Sequence, residues 1–153
     1  MIKILFVCHG NICRSPMAEL IMEDLVKKKG KSDLFVINSR ALTNEEIGNG
    51  LYPPAYDKLK EKEIPIVSHT AKLITQLEYD SYDYIIGMDT ENMQDLDRMF
   101  GLNGRCYKLL YFLGTSYDIS DPWYTHDFET AYNEIYKGVV ALYSFLEKNN
   151  KIY

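Results

Sequence analysis

The sequence predicts an α/β protein, a three-layer sandwich with a central four-stranded parallel sheet and helices on both faces. Three observations carry this prediction. The chain opens on a nearly continuous apolar run from Ile2 to Val7, which is typical of a parallel strand covered on both faces. Strand-like and helix-like segments then alternate along the chain. With only 153 residues and right-handed crossovers, four strands are the simplest arrangement.

Each element has its own signal in the residues. Apolar runs predict strands at Ile2–Val7, Leu34–Ile37, Tyr84–Ile86 and Cys106–Leu110. Apolar spacing and end signals predict helices from Ser15 (N-cap, with Pro16 in the first turn) to Gly30, from Pro53 to about Glu63, and at Thr75–Tyr79, Thr90–Phe100 and Phe128–Lys148. No repeat or linker interrupts this order, so we expect one domain over residues 1–153.

Composition narrows the classes of function. Apolar residues make up 46% and charged residues 25%, as in a globular protein with a core. No apolar run approaches bilayer length and no export signal is visible, so we expect a cytoplasmic protein without a membrane partner. The net charge is −5 and the longest basic run is Lys27-Lys28-Lys29, so we expect no nucleic-acid partner. Three cysteines, an odd number, indicate a thiol with chemistry rather than a disulfide scaffold.

The segment from Cys8 to Ser15 carries the clearest chemical signal. A thiol stands at the end of a strand, and an arginine and a helix-starting serine follow. Gly10 and Asn11 tolerate the positive φ that an anion-binding nest of backbone N–H groups requires. Arg14 adds a planar two-pronged donor that matches phosphate oxygens. If the first strand is central, this loop lies at the switch point of the sheet, so we predict a phosphate-binding loop after strand one with Cys8 as a nucleophile.

A second segment, Asp121-Pro122-Trp123-Tyr124, contains a candidate general acid. Displacement of a phenolate needs a proton donor on the far side of phosphorus, and Asp121 on a proline-stiffened loop suits that role. Alone, Asp-Pro would indicate only a turn. The neighbouring carboxylates Asp118, Asp127 and Glu129 are alternative candidates.

Together these segments resemble the low-molecular-weight protein tyrosine phosphatases over nearly the whole chain. The matching stretch is Val7-Cys8-His9-Gly10-Asn11-Ile12-Cys13-Arg14-Ser15-Pro16-Met17-Ala18-Glu19, and Asp121-Pro122-Trp123-Tyr124 with Asp127-Phe128-Glu129 matches the acid loop and last helix. The resemblance implies a bacterial-type protein tyrosine phosphatase that acts through a cysteinyl-phosphate intermediate. Cys8 would be the nucleophile, Arg14 the phosphate clamp and Asp121 the general acid and base.

The same resemblance implies further roles. The phosphate loop would comprise His9, Gly10, Asn11, Ile12, Cys13, Arg14 and Ser15, with His69, Asp89, Trp123 and Tyr124 as supporting residues, and Ser39 and Asn92 also match supporting segments. It suggests that Cys13 can form a protective disulfide with Cys8. The expected partner is a phosphotyrosine-containing protein or peptide, with inorganic phosphate as product and no metal or cofactor, and the expected oligomeric state is a monomer or weak dimer.

One departure affects substrate choice. Mammalian members of the family have an aromatic wall where this chain has Glu45, and the sequence leaves open whether Tyr52 supplies that wall instead.

Three rival functions remain for comparison. Thiol-dependent arsenate reductases on this fold relay a disulfide to further cysteines, but the segment Tyr79–Asp95 has none. Protein arginine phosphatases carry a small polar residue where this chain has the larger, apolar Ile12. A non-catalytic phosphate-binding module would need neither Cys8 nor Asp121.

Overall fold

A computed structural model describes residues 1–149 and 151–152 of the chain. Its strands are β1 (Ile2–Cys8), β2 (Phe35–Ala41), β3 (Tyr84–Gly87) and β4 (Cys106–Lys108). Its helices are α1 (Arg14–Lys28), α2 (Pro53–Glu61), α3 (Gln76–Ser81), α4 (Thr90–Phe100), α5 (Pro122–Thr125) and α6 (Phe128–Lys148), with 3₁₀ turns at Ser32–Leu34 and Leu109–Leu113.

The four strands are parallel and lie in the order β2-β1-β3-β4. β1 is therefore internal, and the chain leaves it toward β2 on one side while β3 lies on the other. This reversal is the switch point at which α/β sheets bind ligands beyond their carboxyl ends. The predicted fold class, a four-stranded parallel sheet between helical layers, is confirmed.

Alternate residues of β1 enter two separate cores. Ile4 and Phe6 face a core shared with α1, α2 and α6, whereas Leu5 and Val7 face a core shared with α3 and α4. All four side chains are completely buried, and each contributes about 1.5–3 kcal/mol through burial. This two-sided burial explains why the strand is a continuous apolar run rather than an alternating one.

Helix α6 packs closely against the turn that follows β4. A Cβ atom on Gly138 would lie 2.6 Å from Cγ of Leu109, so only glycine permits this approach. The contact brings α6 beside the segment that leads to Asp121. Among residues 1–149 and 151–152, the structure contains no helix both long and apolar enough to cross a membrane.

Several predicted boundaries were wrong. Helix α1 begins at Arg14 after Cys13, so Ser15 lies inside its first turn and is not the N-cap. Strand β2 extends to Ala41, because its later polar side chains make specific hydrogen bonds instead of breaking the strand.

Later elements also differ from the prediction. Strand β4 ends at Lys108, and the apolar residues after it form a 3₁₀ turn rather than more strand. Helix α2 ends at Glu61, because Glu63 adopts a positive φ of 60°. Thr75 is the N-cap of α3 in a capping box with Glu78, and that helix continues to Ser81.

Candidate active site

The carboxyl ends of β1 and β3 bring two distant parts of the chain together. Cys8 is the last residue of β1 and is 4% exposed. Asp89 follows β3 and caps α4, where its Oδ1 accepts a hydrogen bond from the Asn92 N–H. The side chain of Asn92 in turn accepts from the Met88 N–H at 2.9 Å. Asp89 is therefore rigidly presented beside the loop that follows Cys8.

The loop after Cys8 is fixed around Asn11. Asn11 is fully buried and has a φ of 60°, a left-handed conformation that asparagine tolerates. His69 Nε2 lies 2.7 Å from the Asn11 carbonyl oxygen, and the Lys72 N–H donates to Asn11 Oδ1 at 3.2 Å. The Tyr52 N–H donates to the next carbonyl, that of Ile12, at 3.0 Å. These contacts hold the loop from its outer side.

The inner side of the loop meets the N-terminus of α1. The first N–H groups of a helix lack intrahelical partners, and Cys13 supplies no side-chain cap to them. The positive end of the 15-residue helix α1 therefore faces the pocket with free donors. The arrangement is suited to bind an anion next to the Cys8 sulfur.

A chain of hydrogen bonds runs from the Cys8 sulfur into the protein. Cys8 Sγ lies 3.0 Å from Ser15 Oγ, and that oxygen accepts from Asn11 Nδ2 at 2.8 Å. Because Ser15 Oγ accepts from Asn11, its own proton is available to the sulfur. Asn11 Nδ2 also donates to Ser39 Oγ, which donates to Glu19 Oε1 at 2.6 Å. Ser15 thus orients the Cys8 sulfur and does not cap helix α1.

Arg14 is the positive charge of the pocket. Its Nη1 donates to Asp89 Oδ2 at 2.8 Å and to the Ile119 carbonyl at 2.9 Å, and its Nη2 lies 3.4 Å from Asp121 Oδ2. The side chain is 3% exposed. Burial opposes the charged form, but the Cys8 thiolate and the carboxylates of Asp89 and Asp121 raise the pKa of Arg14 above its ordinary value. The guanidinium is held in one orientation and stays charged.

Asp121 lies across the pocket from Cys8. Its Oδ1 accepts from the Trp123 N–H at 3.0 Å, which caps the short helix α5, and its Oδ2 faces Arg14. The side chain is 29% exposed and lines a pocket of about 150 Å³ that also contains Cys8 and Arg14. One carboxylate oxygen is therefore fixed by the backbone while the other points toward the phosphate-binding loop.

The three alternative carboxylates lie outside this pocket. Asp127 caps α6 through Thr130, and Glu129 pairs with Lys58 and Lys62. Hydrogen bonds from these partners hold the pKa values of Asp127 and Glu129 below their ordinary values. Burial works against ionisation of Asp118, but hydrogen bonds from its neighbours hold its pKa low as well. All three are poorer placed than Asp121 to deliver a proton.

Aromatic and acidic side chains form the mouth of the pocket. Trp123 and Tyr124 line it and are 47% and 79% exposed. Tyr52 does not line the pocket; its ring packs on Trp123 with centroids 5.0 Å apart, so it supports the wall from behind. Glu45 also lines the pocket and pairs with His9. The lining therefore combines aromatic and acidic side chains.

One group of side chains has the spacing of metal ligands. Ligand atoms of His9, Glu91 and Asp95 lie within 4.8 Å of one another. The sequence indicated no such cluster, because Glu91 and Asp95 are far from His9 in the chain. Asp95 already accepts a hydrogen bond from Arg98 at 2.5 Å.

The other two cysteines occupy different environments. Cys13 is buried in the loop, and burial, together with the negative charges of Cys8 and Asp121, raises its pKa to about 12. Cys106 lies on β4, 3.2 Å from the hydroxyl of Tyr79, and does not line the pocket. Each cysteine of the described chain carries a free thiol.

Two contributors to the site gave little or no sequence signal. The Ile119 carbonyl orients Arg14, and no side-chain pattern could reveal it. Glu19 ends the hydrogen-bond chain behind Cys8. Its position four residues after Ser15, one turn along α1, and its place at the end of the stretch that resembles the family were the available hints.

Comparisons with known proteins agree with this geometry. A family model described as low molecular weight phosphotyrosine protein phosphatase matches residues 3–152. The low molecular weight protein-tyrosine-phosphatase YfkJ of Bacillus subtilis is 35% identical over 99% of this chain and 100% of its own length. The human low molecular weight phosphotyrosine protein phosphatase is 40% identical over 95% of this chain and 94% of its own.

Solved structures give the same result. The crystal structure of Bacillus subtilis YfkJ superposes with a TM-score of 0.93 at 36% identity, covering 98% of this chain and 97% of that one. A Drosophila arginine phosphatase superposes with a TM-score of 0.85 at 27% identity, covering 97% and 98%. The chain therefore belongs to the low molecular weight phosphotyrosine protein phosphatase family of phosphoric monoester hydrolases.

Proposed function

We propose that this protein hydrolyses phosphotyrosine in proteins or peptides by two successive in-line displacements at phosphorus. The observation that carries the proposal is the convergence of Cys8, Arg14 and Asp121 on one pocket at the carboxyl edge of the sheet. A nucleophile, a bidentate phosphate ligand and a proton donor are the three groups that this reaction needs.

In the first displacement the Cys8 thiolate attacks phosphorus, forming an S–P bond as the P–O bond to the tyrosine ring breaks. Asp121 gives its proton to the departing phenolic oxygen. The Arg14 guanidinium and the N-terminus of α1 bind the equatorial phosphate oxygens, where charge is spread in the transition state. Ser15 stabilises the sulfur through the contact at 3.0 Å.

In the second displacement water attacks the cysteinyl-phosphate. Asp121, now ionised, takes a proton from the water as the O–P bond forms. The S–P bond breaks and returns the thiolate, and inorganic phosphate leaves. The same carboxyl group serves as acid and then as base, because its Oδ2, the oxygen beside Arg14, faces the same side of phosphorus in both steps.

The mouth favours a flat aromatic substrate. Trp123 and Tyr124 offer ring faces against which a phenyl group can pack, and the apolar Ile12 lies in the loop below them. Phosphoarginine is the second candidate substrate, since the Drosophila arginine phosphatase shares the fold at 27% identity. Paired peptides that carry phosphotyrosine or phosphoarginine at one position would separate the two activities.

Arsenate reduction has less support from the geometry. A thiol relay needs a further cysteine within reach of the loop, and Cys106 lies away from the pocket beside Tyr79.

The decisive experiment is turnover of an activated aryl phosphate by Cys8→Ser. We expect a loss of roughly 10⁴-fold or more in kcat, because the serine hydroxyl is a far weaker nucleophile in this site. Binding of inorganic phosphate, measured by calorimetry, should persist because Arg14 and the loop remain. Cys106→Ser is the matched control and should keep full activity. Turnover by Cys8→Ser close to that of the wild type would refute the proposal.

A further inference from the structure

Half of the residues in the segment that carries Asp121 to the pocket are exposed. Residues 114–121 connect the 3₁₀ turn after β4 to helix α5, and Tyr117 and Asp118 in its middle are 76% and 45% exposed. We name this segment the acid loop. Exposed connections of this kind are ordinarily among the more mobile parts of a protein. The structure therefore has to hold the acid loop by specific contacts if Asp121 is to keep its position.

On one side the acid loop is held by Lys108, the last residue of β4. Its ammonium group donates to Asp118 Oδ1 at 2.8 Å, to the Thr90 hydroxyl at 3.2 Å and to the Ser116 carbonyl at 2.5 Å. These three acceptors use all three protons of the ammonium.

The Asp118 carboxylate is also held by helix α4. The N–H and the hydroxyl of Thr90, the first residue of that helix, each donate to Asp118 Oδ1 at 3.0 Å. An isolated surface ion pair would contribute little to stability, but the Lys108–Asp118 pair is part of a hydrogen-bond network that joins strand β4, helix α4 and the acid loop.

On the other side the acid loop is held by Glu134 of α6. Its Oε1 accepts from both the N–H and the hydroxyl of Ser120, at 3.2 and 2.9 Å. Ser120 is the residue directly before Asp121. The two ties, Lys108 from β4 and Glu134 from α6, thus fix the acid loop from opposite directions.

Between the two ties lies Ile119, which is 1% exposed. Its N–H donates to the Met88 carbonyl at 2.9 Å, and its own carbonyl accepts from Arg14. Because Ile119 keeps these buried contacts by itself, the ties are not needed to bind phosphate through Arg14. The two ties instead fix the residues on either side of Ile119, and above all the direction of the Asp121 carboxylate.

We propose that Lys108 and Glu134 are positioning residues that aim Asp121 at the leaving-group oxygen. This rests on the proposed role of Asp121 as the proton donor. Loss of either tie lets the acid loop move, and a displacement of about 1 Å can cost up to about 10²-fold in rate. The effect should fall on proton transfer and leave phosphate binding intact.

The test compares Lys108→Met and Glu134→Leu on two substrates. For a phosphotyrosine peptide, which needs a proton donor, kcat/KM should fall roughly tenfold in each variant. For an aryl phosphate with an acidic leaving group, kcat/KM, which reports only formation of the cysteinyl-phosphate, should change by less than about twofold. The basic limb of the pH–rate profile, which reports ionisation of the acid, should become shallower. The Kd of inorganic phosphate should remain that of the wild type.

Conservative and distant variants control for simple loss of stability. Lys108→Arg keeps a charged donor and Glu134→Gln keeps an acceptor oxygen for Ser120, so both should restore most of the phosphotyrosine activity. Two control variants should change kcat/KM for neither substrate. One is Arg105→Met, directly before β4, which removes hydrogen bonds to the Tyr79 and Asp80 carbonyls, and the other is Glu147→Leu on the exposed face of α6.

An equal fall of kcat/KM on both substrates, or an unchanged kcat/KM on both, would overturn the positioning role. Asp121→Asn run alongside separates this failure from failure of the proposed function. If Asp121→Asn discriminates between the substrates and the tie variants do not, only the ties are refuted. If Asp121→Asn itself fails to discriminate, the proton-donor role is refuted.

Discussion

The loop from Cys8 to Arg14 and the acid loop meet at one pocket but are held in different ways. In the first, Cys8, Asn11, Cys13 and Arg14 are all at most 6% exposed. It is fixed by backbone contacts and by a helix that begins within it. In the acid loop only Ile119 is fully buried, and side chains from β4, α4 and α6 supply the remaining support.

This difference separates two tasks. The proposed nucleophile and phosphate ligands belong to one contiguous stretch of main chain, so their relative positions are fixed locally. The proposed proton donor lies on a connection whose position depends on a few distant side chains. Substitutions in the first loop should therefore damage every reaction of the enzyme, whereas those in the acid loop should slow formation of the cysteinyl-phosphate only for substrates whose leaving group needs a proton.

The largest expected effect that tests this contrast is that of Asp121→Asn. An amide cannot protonate the phenolate of tyrosine, whose pKa is about 10, so phosphotyrosine hydrolysis should fall roughly 10²–10⁴-fold. For an activated aryl ester, kcat/KM, which reports only formation of the cysteinyl-phosphate, should be much less affected, and the basic limb of its pH–rate profile should disappear.

The slope of rate against leaving-group pKa should be measured for Asp121→Asn and for the amide variants of Asp118, Asp127 and Glu129. Asp121→Asn should make it steepest. Asp118→Asn should steepen it less, because it removes the contact of Lys108 with the acid loop, and Asp127→Asn and Glu129→Gln should leave it shallow. If the slope became steep in Asp127→Asn or Glu129→Gln and stayed shallow in Asp121→Asn, the residue replaced in the steep variant would be the proton donor.

In the first loop, Arg14→Lys should impair all substrates alike. An ammonium keeps the charge but cannot give two parallel N–H bonds to phosphate oxygens while also reaching Asp89 and the Ile119 carbonyl. We expect kcat to fall roughly 10²–10³-fold, the scale of one lost oxyanion donor. Steady-state kinetics on phosphotyrosine and on an activated aryl phosphate should show the same fold decrease in kcat. A decrease that depends on the substrate would contradict the contrast between the loops.

Oxidation should distinguish the thiols of the first loop. Peroxide converts the Cys8 thiolate to a sulfenic acid, and Cys13 can then displace water to form a disulfide. Because the pKa of Cys13 is raised to about 12, this closure should accelerate about tenfold per pH unit between pH 7 and 9.

Mass spectrometry should find the Cys8–Cys13 bond in the wild type, and thiol should restore its activity. Cys13→Ser should recover several-fold less activity, whereas Cys106→Ser should behave as the wild type. Full recovery by Cys13→Ser would remove Cys13 from the protective role.

The smallest effect concerns the support behind the first loop. The pKa of Glu23 is raised from 4.5 to about 7, mainly by burial and then by the negative charge of Glu19 and a hydrogen bond with it. The folded protein therefore keeps a proton that the unfolded chain releases near pH 4.5. The stability from this group is complete below about pH 4.5 and is lost as the pH rises through about 7.

Glu23→Gln, which imitates the protonated form, should raise the free energy of unfolding by about 1 kcal/mol at pH 8, since the group is only half-buried. At pH 4.5 it should have no effect. Denaturant unfolding at both pH values measures this, with Glu147→Gln as an exposed control. A gain of equal size at both pH values would show that the proton is not responsible.

Much of the fold and of the first loop could be predicted from the residues. The apolar run of β1 predicted a doubly covered strand, because alternate side chains enter two cores. The cysteine, glycine, asparagine and arginine of one short segment indicated a phosphate loop, because their spacing is local. The boundary at Ser15 was wrong because a serine before proline is a common cap, and here its hydroxyl contacts sulfur instead.

What the sequence by itself determined is thus the contiguous part of this protein: its parallel sheet, its family and the loop from Cys8 to Arg14. Only the tertiary structure decided which carboxylates face Arg14, since Asp89 and Asp121 are 75 and 107 residues away from it. It also decided that Lys108 and Glu134 meet the acid loop. Such contacts depend on how strands and helices pack, and packing over long sequence separations leaves no periodic pattern to be read in the chain.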